Sequence, residues 1–337
     1  MPSKTRAVQF ARFGEPTEVA EVVVEEVREP GPGEVTIDIE AAAINPSHLL
    51  TLQGKYGVAF KLPAVPGSEG AGTIAAAGPD VARFKVGDRV LVPAYAGTWR
   101  QRVTVQAADI LAGFPREADP VQCSMLLANP PTAYLMLTRY VDLKPGDWVI
   151  QNAANSAVGQ YLIQLCRHYG WRTVNVVRRT GMEDFFARLG GDATVVDGPD
   201  LAARVQAATG SAPVRLAIDA VAGAATARLA ACVEKHGTVV NYGLLSGEPC
   251  HMPPEQTVFR NVSLRGFWLT MWLREYSTQH DREQVYALLR DLIVRGVLHA
   301  DVEATYPISR AKEALAHAAR GGRMGKIVFA PQSEALP

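Results

Sequence analysis

Residues 148–159 read Trp148-Val149-Ile150-Gln151-Asn152-Ala153-Ala154-Asn155-Ser156-Ala157-Val158-Gly159. This is an apolar strand that runs into small residues and then into the beginning of a helix. Backbone N–H groups and the positive end of the helix dipole can hold a pyrophosphate at such a point. The glycine pattern G-x-G-x-x-G is absent, and of its glycines only Gly159 is present. We predict a dinucleotide site here, with an ordinary strand-to-helix loop of an α/β sheet as the alternative.

Strands and helices alternate on the carboxyl-terminal side of this stretch. The predicted strands are Trp148–Gln151, Thr173–Val177, Ala193–Val196, Val214–Ile218, Thr238–Tyr242 and Ser263–Phe267. Helical segments are predicted at Ser156–Tyr169, Met182–Leu189 and Ala224–Glu234, and the first has one apolar face at helical spacing. Six strands with helical crossovers are typical of a Rossmann fold, the doubly wound parallel sheet that binds dinucleotides.

The amino-terminal part of the chain has a different pattern. Val22–Val27 and Glu34–Ala41 are predicted strands, with the turn Pro30-Gly31-Pro32-Gly33 between them. Residues 85–92 predict a tight turn followed by another strand. These features indicate a compact antiparallel β domain or a partial barrel.

The second predicted strand of the sheet ends in Arg178-Arg179. An enzyme that uses NAD places an acidic residue at about this position to bind the ribose 2′-hydroxyl, whereas arginine accommodates a 2′-phosphate. A dianionic phosphate prefers fork-shaped cationic donors. The pair therefore favours NADPH as the cofactor, with a solvated arginine pair at a strand end as the alternative.

Composition and charge restrict the classes of partner. The chain of 337 residues is 48% hydrophobic and 20% charged, which provides apolar material for two globular domains. Lysine plus arginine and aspartate plus glutamate both total 34, so no net field favours nucleic acid or an anionic membrane. We expect no signal peptide, transit peptide or membrane span, and therefore a cytoplasmic location. The four cysteines are scattered, which argues against a disulfide scaffold or a zinc site.

Several blocks of the sequence are distinctive in combination. They are Ile44-Asn45-Pro46-Ser47, Leu52-Gln53-Gly54-Lys55-Tyr56-Gly57, residues 62–70, Gly97-Thr98-Trp99-Arg100, Asn129-Pro130-Pro131-Thr132-Ala133-Tyr134, residues 151–160 and Leu264-Arg265-Gly266-Phe267-Trp268-Leu269. Together they resemble the medium-chain dehydrogenase/reductase superfamily over essentially the whole chain. Within it, the sequence is most similar to the zinc-free trans-2-enoyl-CoA/ACP (2-enoyl thioester) reductases of fatty acid synthesis.

This resemblance implies an α/β protein with two domains. A GroES-like, β-rich catalytic domain is expected at residues 1–124, and residues 269–337 are expected to return to it with a helix at Arg282–Arg295 and a strand at Lys326–Ala330. A Rossmann NADPH-binding domain is expected at residues 125–268. The resemblance further implies a homodimer formed through edge strands of the nucleotide-binding sheets.

The resemblance also implies site residues. Tyr56 is the expected proton donor and substrate-positioning residue, since a phenol with a pKa of about 10 is protonated at neutral pH. A surface aromatic in a glycine-bounded turn is the alternative. NADPH contacts are implied for Asn129, Asn155, Ser156, Ala157, Val158, Arg178, Arg179, Thr180, Tyr242, Gly243, Leu244, Leu245, Phe267, Trp268, Leu269 and Lys326. Core packing is the alternative for Trp268, and an exposed edge charge is the alternative for Lys326.

Zinc-dependent members of the superfamily carry a cysteine near Pro46-Ser47 and a histidine in a Gly-His-Glu segment. In this sequence Ser68 takes the histidine's place in Gly67-Ser68-Glu69. Because catalytic zinc needs about three protein ligands, we expect no metal. His48 is expected to be structural or solvent-facing.

These features predict NADPH-dependent, zinc-independent reduction of the carbon–carbon double bond of trans-2-enoyl thioesters of coenzyme A or acyl carrier protein. Hydride would reach the β carbon and a proton the α carbon. One alternative is a reductase of quinones, 2-enals or acrylates from the same superfamily. Another is an NADPH-binding module without turnover, in a structural or nucleic-acid-binding role, against which the neutral net charge argues.

Overall fold

The computed structural model describes residues 3–58 and 60–337 of the chain. Two compact units are present, one formed by Met1–Ala128 with Thr278–Pro337 and the other by Asn129–Ser277. The domain limits predicted from sequence, at residues 124 and 268, lie shortly before these two changes of unit. Within the described ranges, no helix combines the length and the apolarity needed to cross a lipid bilayer.

The strands and helices are numbered in chain order. The strands are β1 (Ser3–Gln9), β2 (Glu21–Val27), β3 (Glu34–Ile44), β4 (Ala71–Ala77), β5 (Arg89–Leu91), β6 (Arg102–Gln106), β7 (Gly113–Phe114), β8 (Trp148–Gln151), β9 (Arg172–Val177), β10 (Ala193–Val196), β11 (Val214–Asp219), β12 (Thr238–Asn241), β13 (Ser263–Gly266), β14 (Val302–Tyr306) and β15 (Lys326–Phe329). The α-helices are α1 (Pro16–Val19), α2 (Pro46–Leu52), α3 (Pro120–Ser124), α4 (Asn129–Arg139), α5 (Ala157–Tyr169), α6 (Glu183–Leu189), α7 (Leu201–Ala208), α8 (Ala224–Cys232), α9 (Leu269–Met271), α10 (Gln279–Val294) and α11 (Ala311–Ala319).

The first unit is built around the long strand β3. A sheet of order β14-β15-β3-β4-β5-β7 forms, with β6 also paired to β3, while β1 and β2 make a separate antiparallel pair. Val35, Ile37 and Ile39 of β3 are fully buried in the core of this unit. Burial of each such side chain stabilises the fold by roughly 1.5–3 kcal/mol. The antiparallel pairing of β15 with β3 attaches the end of the chain to this sheet.

The second unit is a six-stranded parallel sheet of order β10-β9-β8-β11-β12-β13. This order, with helical crossovers, is that of the predicted Rossmann fold, and the expected α/β class is confirmed. Helix α5 is capped at its start by Ser156, whose Oγ accepts the N–H of Gly159 at 3.1 Å, and at its end by Gly170, whose φ is +75°. The strand order reverses between β8 and β11, and ligands bind such sheets at this point.

Several elements of the structure were not predicted from the sequence, among them β4, β6, β14, α2, α4 and α11, and others have different bounds. Strand β14 was not predicted, because it is short and its residues alternate between exposed and half-buried positions at the edge of the sheet. Helix α10 begins at Gln279, before the predicted start at Arg282. The reason is a capping box in which Thr278 and Asp281 satisfy each other's backbone N–H groups.

Candidate active site

Two glycines allow backbone segments to approach closely at the carboxyl end of the parallel sheet. A Cβ atom on Gly159 would lie 2.3 Å from the carbonyl oxygen of Ala154, and one on Gly243 would lie 2.5 Å from that of Ala220. Both distances are shorter than any real contact of a Cβ atom, so a side chain would force the loops apart. The loops after β8 and β12 are therefore tightly packed at the predicted cofactor site.

A buried carboxylate joins three of these loops. Asp219, the last residue of β11, is fully buried. Its oxygens accept hydrogen bonds from Asn152 Nδ2 at 2.6 Å, Thr226 Oγ1 at 2.6 Å, Asn241 Nδ2 at 3.2 Å, and the N–H groups of Val221 at 2.9 Å and Ala222 at 3.1 Å. The loops after β8 and β11 and the last residue of β12 thus share one acceptor. Sequence reasoning missed Asp219, although a carboxylate that ends an apolar strand was a detectable signal.

The predicted cofactor residues of this unit follow the carboxyl ends of its strands. Asn155, Ser156, Ala157 and Val158 follow β8; Arg178, Arg179 and Thr180 follow β9; Tyr242, Gly243, Leu244 and Leu245 follow β12; Phe267, Trp268 and Leu269 follow β13; and Asn129 is the first residue of α4, which packs on α5. Carboxyl ends of parallel strands lie at one edge of a sheet, where such folds bind ligands. Their contact with NADPH stays a prediction.

Tyr242 links the loop after β12 to the beginning of α5. Its hydroxyl shares a side-chain hydrogen bond with Ser156, and burial raises the pKa of this phenol to about 12. The phenol is therefore neutral over the physiological range. Ser156 in turn caps the helix end at which a pyrophosphate is expected.

Arg178, Arg179 and Thr180 are exposed directly after β9. The strand holds their backbone at the sheet edge, while the two guanidinium groups are accessible from solvent. Accessible guanidinium groups at this point can form paired hydrogen bonds with a phosphate. The arrangement fits the 2′-phosphate of NADPH.

Tyr56 lies in the first unit, in the turn that follows α2. The N–H of Lys55 donates to the carbonyl of Leu50 at 2.8 Å, which ties the turn to the last part of the helix. Gly54 adopts a φ of +70°, and a Cβ atom there would lie 3.0 Å from the ring of Phe13. The side chain of Tyr56 is half-buried. The turn is thus held on two sides, by α2 and by Phe13.

Lys326, the first residue of β15, is buried in the same unit and is 7% exposed, so the alternative of an exposed edge charge is wrong. Its Nζ donates to the carbonyl of Ile44 at 3.1 Å and to Oδ1 of Asn45. Asn45 Nδ2 donates to Glu69 Oε1 at 2.5 Å, and the N–H of Ala128 donates to Glu69 Oε2 at 3.0 Å. Burial lowers the pKa of the Lys326 ammonium and raises that of the Glu69 carboxyl, and the charge of each partner opposes the shift. The strand position of Lys326 was visible in the sequence, but its burial was not.

His48 is buried beside Ser68, which agrees with a structural rather than a solvent-facing role. Its Nδ1 lies 3.0 Å from the backbone nitrogen of Asn45 and its Nε2 lies 2.8 Å from Ser68 Oγ. Burial, together with the charge of Lys326, lowers the pKa of His48 to about 3. The imidazole is therefore neutral at physiological pH.

These residues do not fit a zinc site. A serine hydroxyl stands at position 68, both oxygens of Glu69 accept hydrogen bonds from amide groups, and the Lys326 ammonium adds a positive charge that opposes a divalent cation. In the part of the chain that the structure describes, no group of three His, Cys, Asp or Glu side chains is arranged as metal ligands.

Two family models match the chain. The model described as an alcohol dehydrogenase GroES-like domain matches residues 31–115, and the model described as a zinc-binding dehydrogenase matches residues 157–290. Among curated proteins, the mitochondrial enoyl-[acyl-carrier-protein] reductases of Rattus norvegicus and Homo sapiens are each 35% identical over 93% of this chain and 85% of their own length.

Solved structures share the fold over nearly the full length. A protein from Bacillus thuringiensis named as an NADPH:quinone reductase has a TM-score of 0.88 at 27% identity, covering 97% of this chain and 99% of its own. The Etr1p/Etr2p heterodimer, a mitochondrial 2-enoyl thioester reductase from Candida tropicalis, has a TM-score of 0.87 at 23% identity with the same coverage. Another structure holds Etr1p with NADP and crotonyl-CoA.

The names of the curated relatives also give a cellular location. The expectation of a cytoplasmic location is wrong, because the curated relatives are named mitochondrial proteins. That expectation rested on where the sequence begins, which carries no information about the compartment.

The GroES-like and Rossmann expectations are confirmed by the two family models and the strand orders. The chain belongs to the medium-chain dehydrogenase/reductase superfamily and, within it, to the NADPH-dependent enoyl thioester reductases.

Proposed function

We propose that this protein reduces the carbon–carbon double bond of trans-2-enoyl thioesters, without zinc, and that Tyr56 donates the proton to the α carbon. The observation that carries the proposal is the half-buried phenol of Tyr56 in a turn fixed by α2 and Phe13. The 35% identity to enoyl-[acyl-carrier-protein] reductases over 93% of the chain supports the substrate class.

The residues at the carboxyl edge of the parallel sheet fit NADPH. Gly159 and Gly243 allow the loops at this edge to pack closely, Ser156 caps the helix that would face the pyrophosphate, and Arg178 with Arg179 would bind the 2′-phosphate. When bound, this cofactor supplies the hydride that reaches the β carbon of the substrate.

Tyr56 has the chemistry that the second half of the reaction requires. Hydride addition to a conjugated thioester places negative charge on the carbonyl oxygen and makes the α carbon basic. A phenolic O–H can give its proton to that carbon. Its position in a fixed turn reduces the entropy lost when phenol and substrate are aligned.

Zinc has no role in this proposal. The Lys326 ammonium already places a positive charge near Glu69, and the hydroxyl of Ser68 is hydrogen-bonded to His48. Extended dialysis against a strong zinc chelator is expected to leave the rate of crotonyl-CoA reduction unchanged. Loss of activity that added Zn²⁺ restores would contradict zinc independence.

We further propose a homodimer formed through β13. This strand lies at the edge of the parallel sheet and all four of its residues are exposed. The helical turn just before it carries Val258 and Phe259, which are 68% and 74% exposed. An unpaired edge beside exposed apolar side chains is a pairing surface. Light scattering at micromolar concentration is expected to give twice the monomer mass of 36.3 kDa, and a monomer would contradict this.

A second candidate, reduction of quinones or small 2-enals, is favoured by the likeness to the Bacillus thuringiensis protein. It shares the hydride step but has no need for a thioester. Turnover of crotonyl-CoA, a short quinone and a 2-enal with NADPH therefore discriminates the two.

We expect crotonyl-CoA to be the best of the three substrates, and Tyr56→Phe to lower its kcat by about 10²-fold or more, as loss of a general acid does. Tyr169→Phe is the matched control, because Tyr169 lies at the end of α5 remote from Ser156 and stacks on Trp171. A quinone rate above the thioester rate, or an undiminished kcat in Tyr56→Phe, would overturn the proposal.

A further inference from the structure

Asn45 has a side-chain amide that lies between two buried charges of opposite sign. Its Oδ1 accepts from the Lys326 ammonium and its Nδ2 donates to the Glu69 carboxylate at 2.5 Å. The three residues are 5%, 7% and 0% exposed, respectively. The two charges allow only one orientation of the amide, because its oxygen must face the cation and its NH₂ group the anion.

Both charged partners are themselves fixed to the backbone. Glu69 Oε2 accepts the N–H of Ala128 at 3.0 Å, and Lys326 Nζ donates to the carbonyl of Ile44 at 3.1 Å. Segments distant in sequence therefore converge on one amide. Rigid placement of Asn45 follows, since buried charge-assisted hydrogen bonds are costly to break.

The backbone of Asn45 begins the helix that leads to Tyr56. The carbonyl of Asn45 accepts the N–H of His48 at 3.0 Å, and Pro46 is the first residue of α2. Seven helical residues span only about 10 Å. At the other end, Gly54 N–H donates to Thr51 at 3.0 Å and Lys55 N–H donates to Leu50 at 2.8 Å, directly before Tyr56.

From this chain of contacts we propose that Asn45 is a positioning residue for Tyr56: the Glu69–Asn45–Lys326 bridge fixes the start of α2 and thereby the location of the phenol at its far end. This inference rests on the proposed role of Tyr56. A displacement of about 1 Å in a catalytic group lowers a rate by up to about 10²-fold, so a disturbed bridge is expected to lower turnover through the phenol.

A double-mutant cycle on kcat tests the coupling. Asn45→Asp preserves side-chain shape but turns the NH₂ donor into an oxygen that faces Glu69, which breaks the bridge. For crotonyl-CoA reduction we expect kcat to fall by about tenfold or more. In the Tyr56→Phe background the same substitution should lower kcat by less than about threefold, because the group that it displaces no longer donates a proton.

Gln101→Leu is the matched control. Gln101 is another fully buried amide of the same unit, which accepts from Arg6 N–H at 3.0 Å and donates to Glu334 O at 3.1 Å, and it is not part of the bridge. We expect it to lower the melting temperature without lowering kcat. If Asn45→Asp fails to fold, Glu69→Gln replaces it in the cycle, because it removes the charge but keeps an oxygen for Asn45.

The outcomes separate the two claims. Suppose that Tyr56→Phe lowers kcat but Asn45→Asp then lowers kcat equally with and without Tyr56. That result would overturn the positioning role alone. A Tyr56→Phe variant with full kcat would instead overturn the proposed role of Tyr56.

Discussion

The side chain of Asn152 bridges two strand ends, because its Nδ2 donates to Asp219 Oδ1 at 2.6 Å while its Oδ1 accepts the N–H of Ala220 at 2.7 Å. Asn152 directly follows β8 and Asp219 ends β11, the two strands between which the strand order reverses. Ligands of such sheets bind at this reversal. The loops that would hold the cofactor are therefore held in turn by one buried carboxylate.

Asp219→Asn is expected to weaken NADPH binding by about tenfold and to lower the melting temperature. The substitution turns one acceptor oxygen into an NH₂ group that faces hydrogen-bond donors, and each buried polar group left unsatisfied costs roughly 1–3 kcal/mol. Fluorescence titration with NADPH measures the effect. Asp147→Asn, at the opposite end of β8 and ion-paired with Arg215 at 3.0 Å, is the control. Equal affinities for NADPH in both variants would contradict a role for Asp219 in shaping the site.

Arg178→Ala and Arg179→Ala are each expected to raise the KM for NADPH and to leave that for NADH nearly unchanged. A hydrogen bond to a charged group contributes about 1.5–3 kcal/mol, so the rise should be at least about tenfold. Steady-state kinetics with both cofactors checks this. Arg188→Ala, an exposed arginine of α6, should change neither value. A parallel loss with NADH would mean that the two arginines bind something other than the 2′-phosphate.

Burial of His48 is expected to make the free energy of unfolding fall at acid pH. Its pKa of about 3 in the folded protein lies below the usual 6.5, first because of burial and then because of Lys326. The unfolded chain therefore takes up this proton first as the pH falls. The stabilisation is fully present above about pH 6.5 and is lost progressively toward pH 3, at up to about 1.4 kcal/mol per pH unit.

Urea unfolding at a series of pH values measures this dependence. His48→Gln should flatten the decline of unfolding free energy between about pH 6 and 4, whereas His280→Gln, at an exposed position, should not. An unchanged slope in His48→Gln would show that other groups cause the acid sensitivity.

The sequence predicted the parallel sheet well, because buried parallel strands are short, continuous apolar runs separated by amphipathic helices. The loops at its carboxyl edge followed from that prediction. The role of Asp219 and the burial of Lys326 could not be predicted in this way. Both depend on contacts between residues far apart in sequence, such as that of Lys326 with Ile44. Strand β14 lacks an apolar run because it lies at the edge of its sheet, where its side chains are only partly buried.

The most direct test of the proposed reaction is the origin of the two hydrogens that are added to crotonyl-CoA. The reaction is run once with NADPH carrying deuterium at the transferable C4 position and once in D₂O with unlabelled NADPH, and the butyryl-CoA is analysed by NMR. We expect cofactor deuterium at the β carbon and solvent deuterium at the α carbon. Cofactor deuterium at the α carbon, or none in the product, would contradict the proposed reaction.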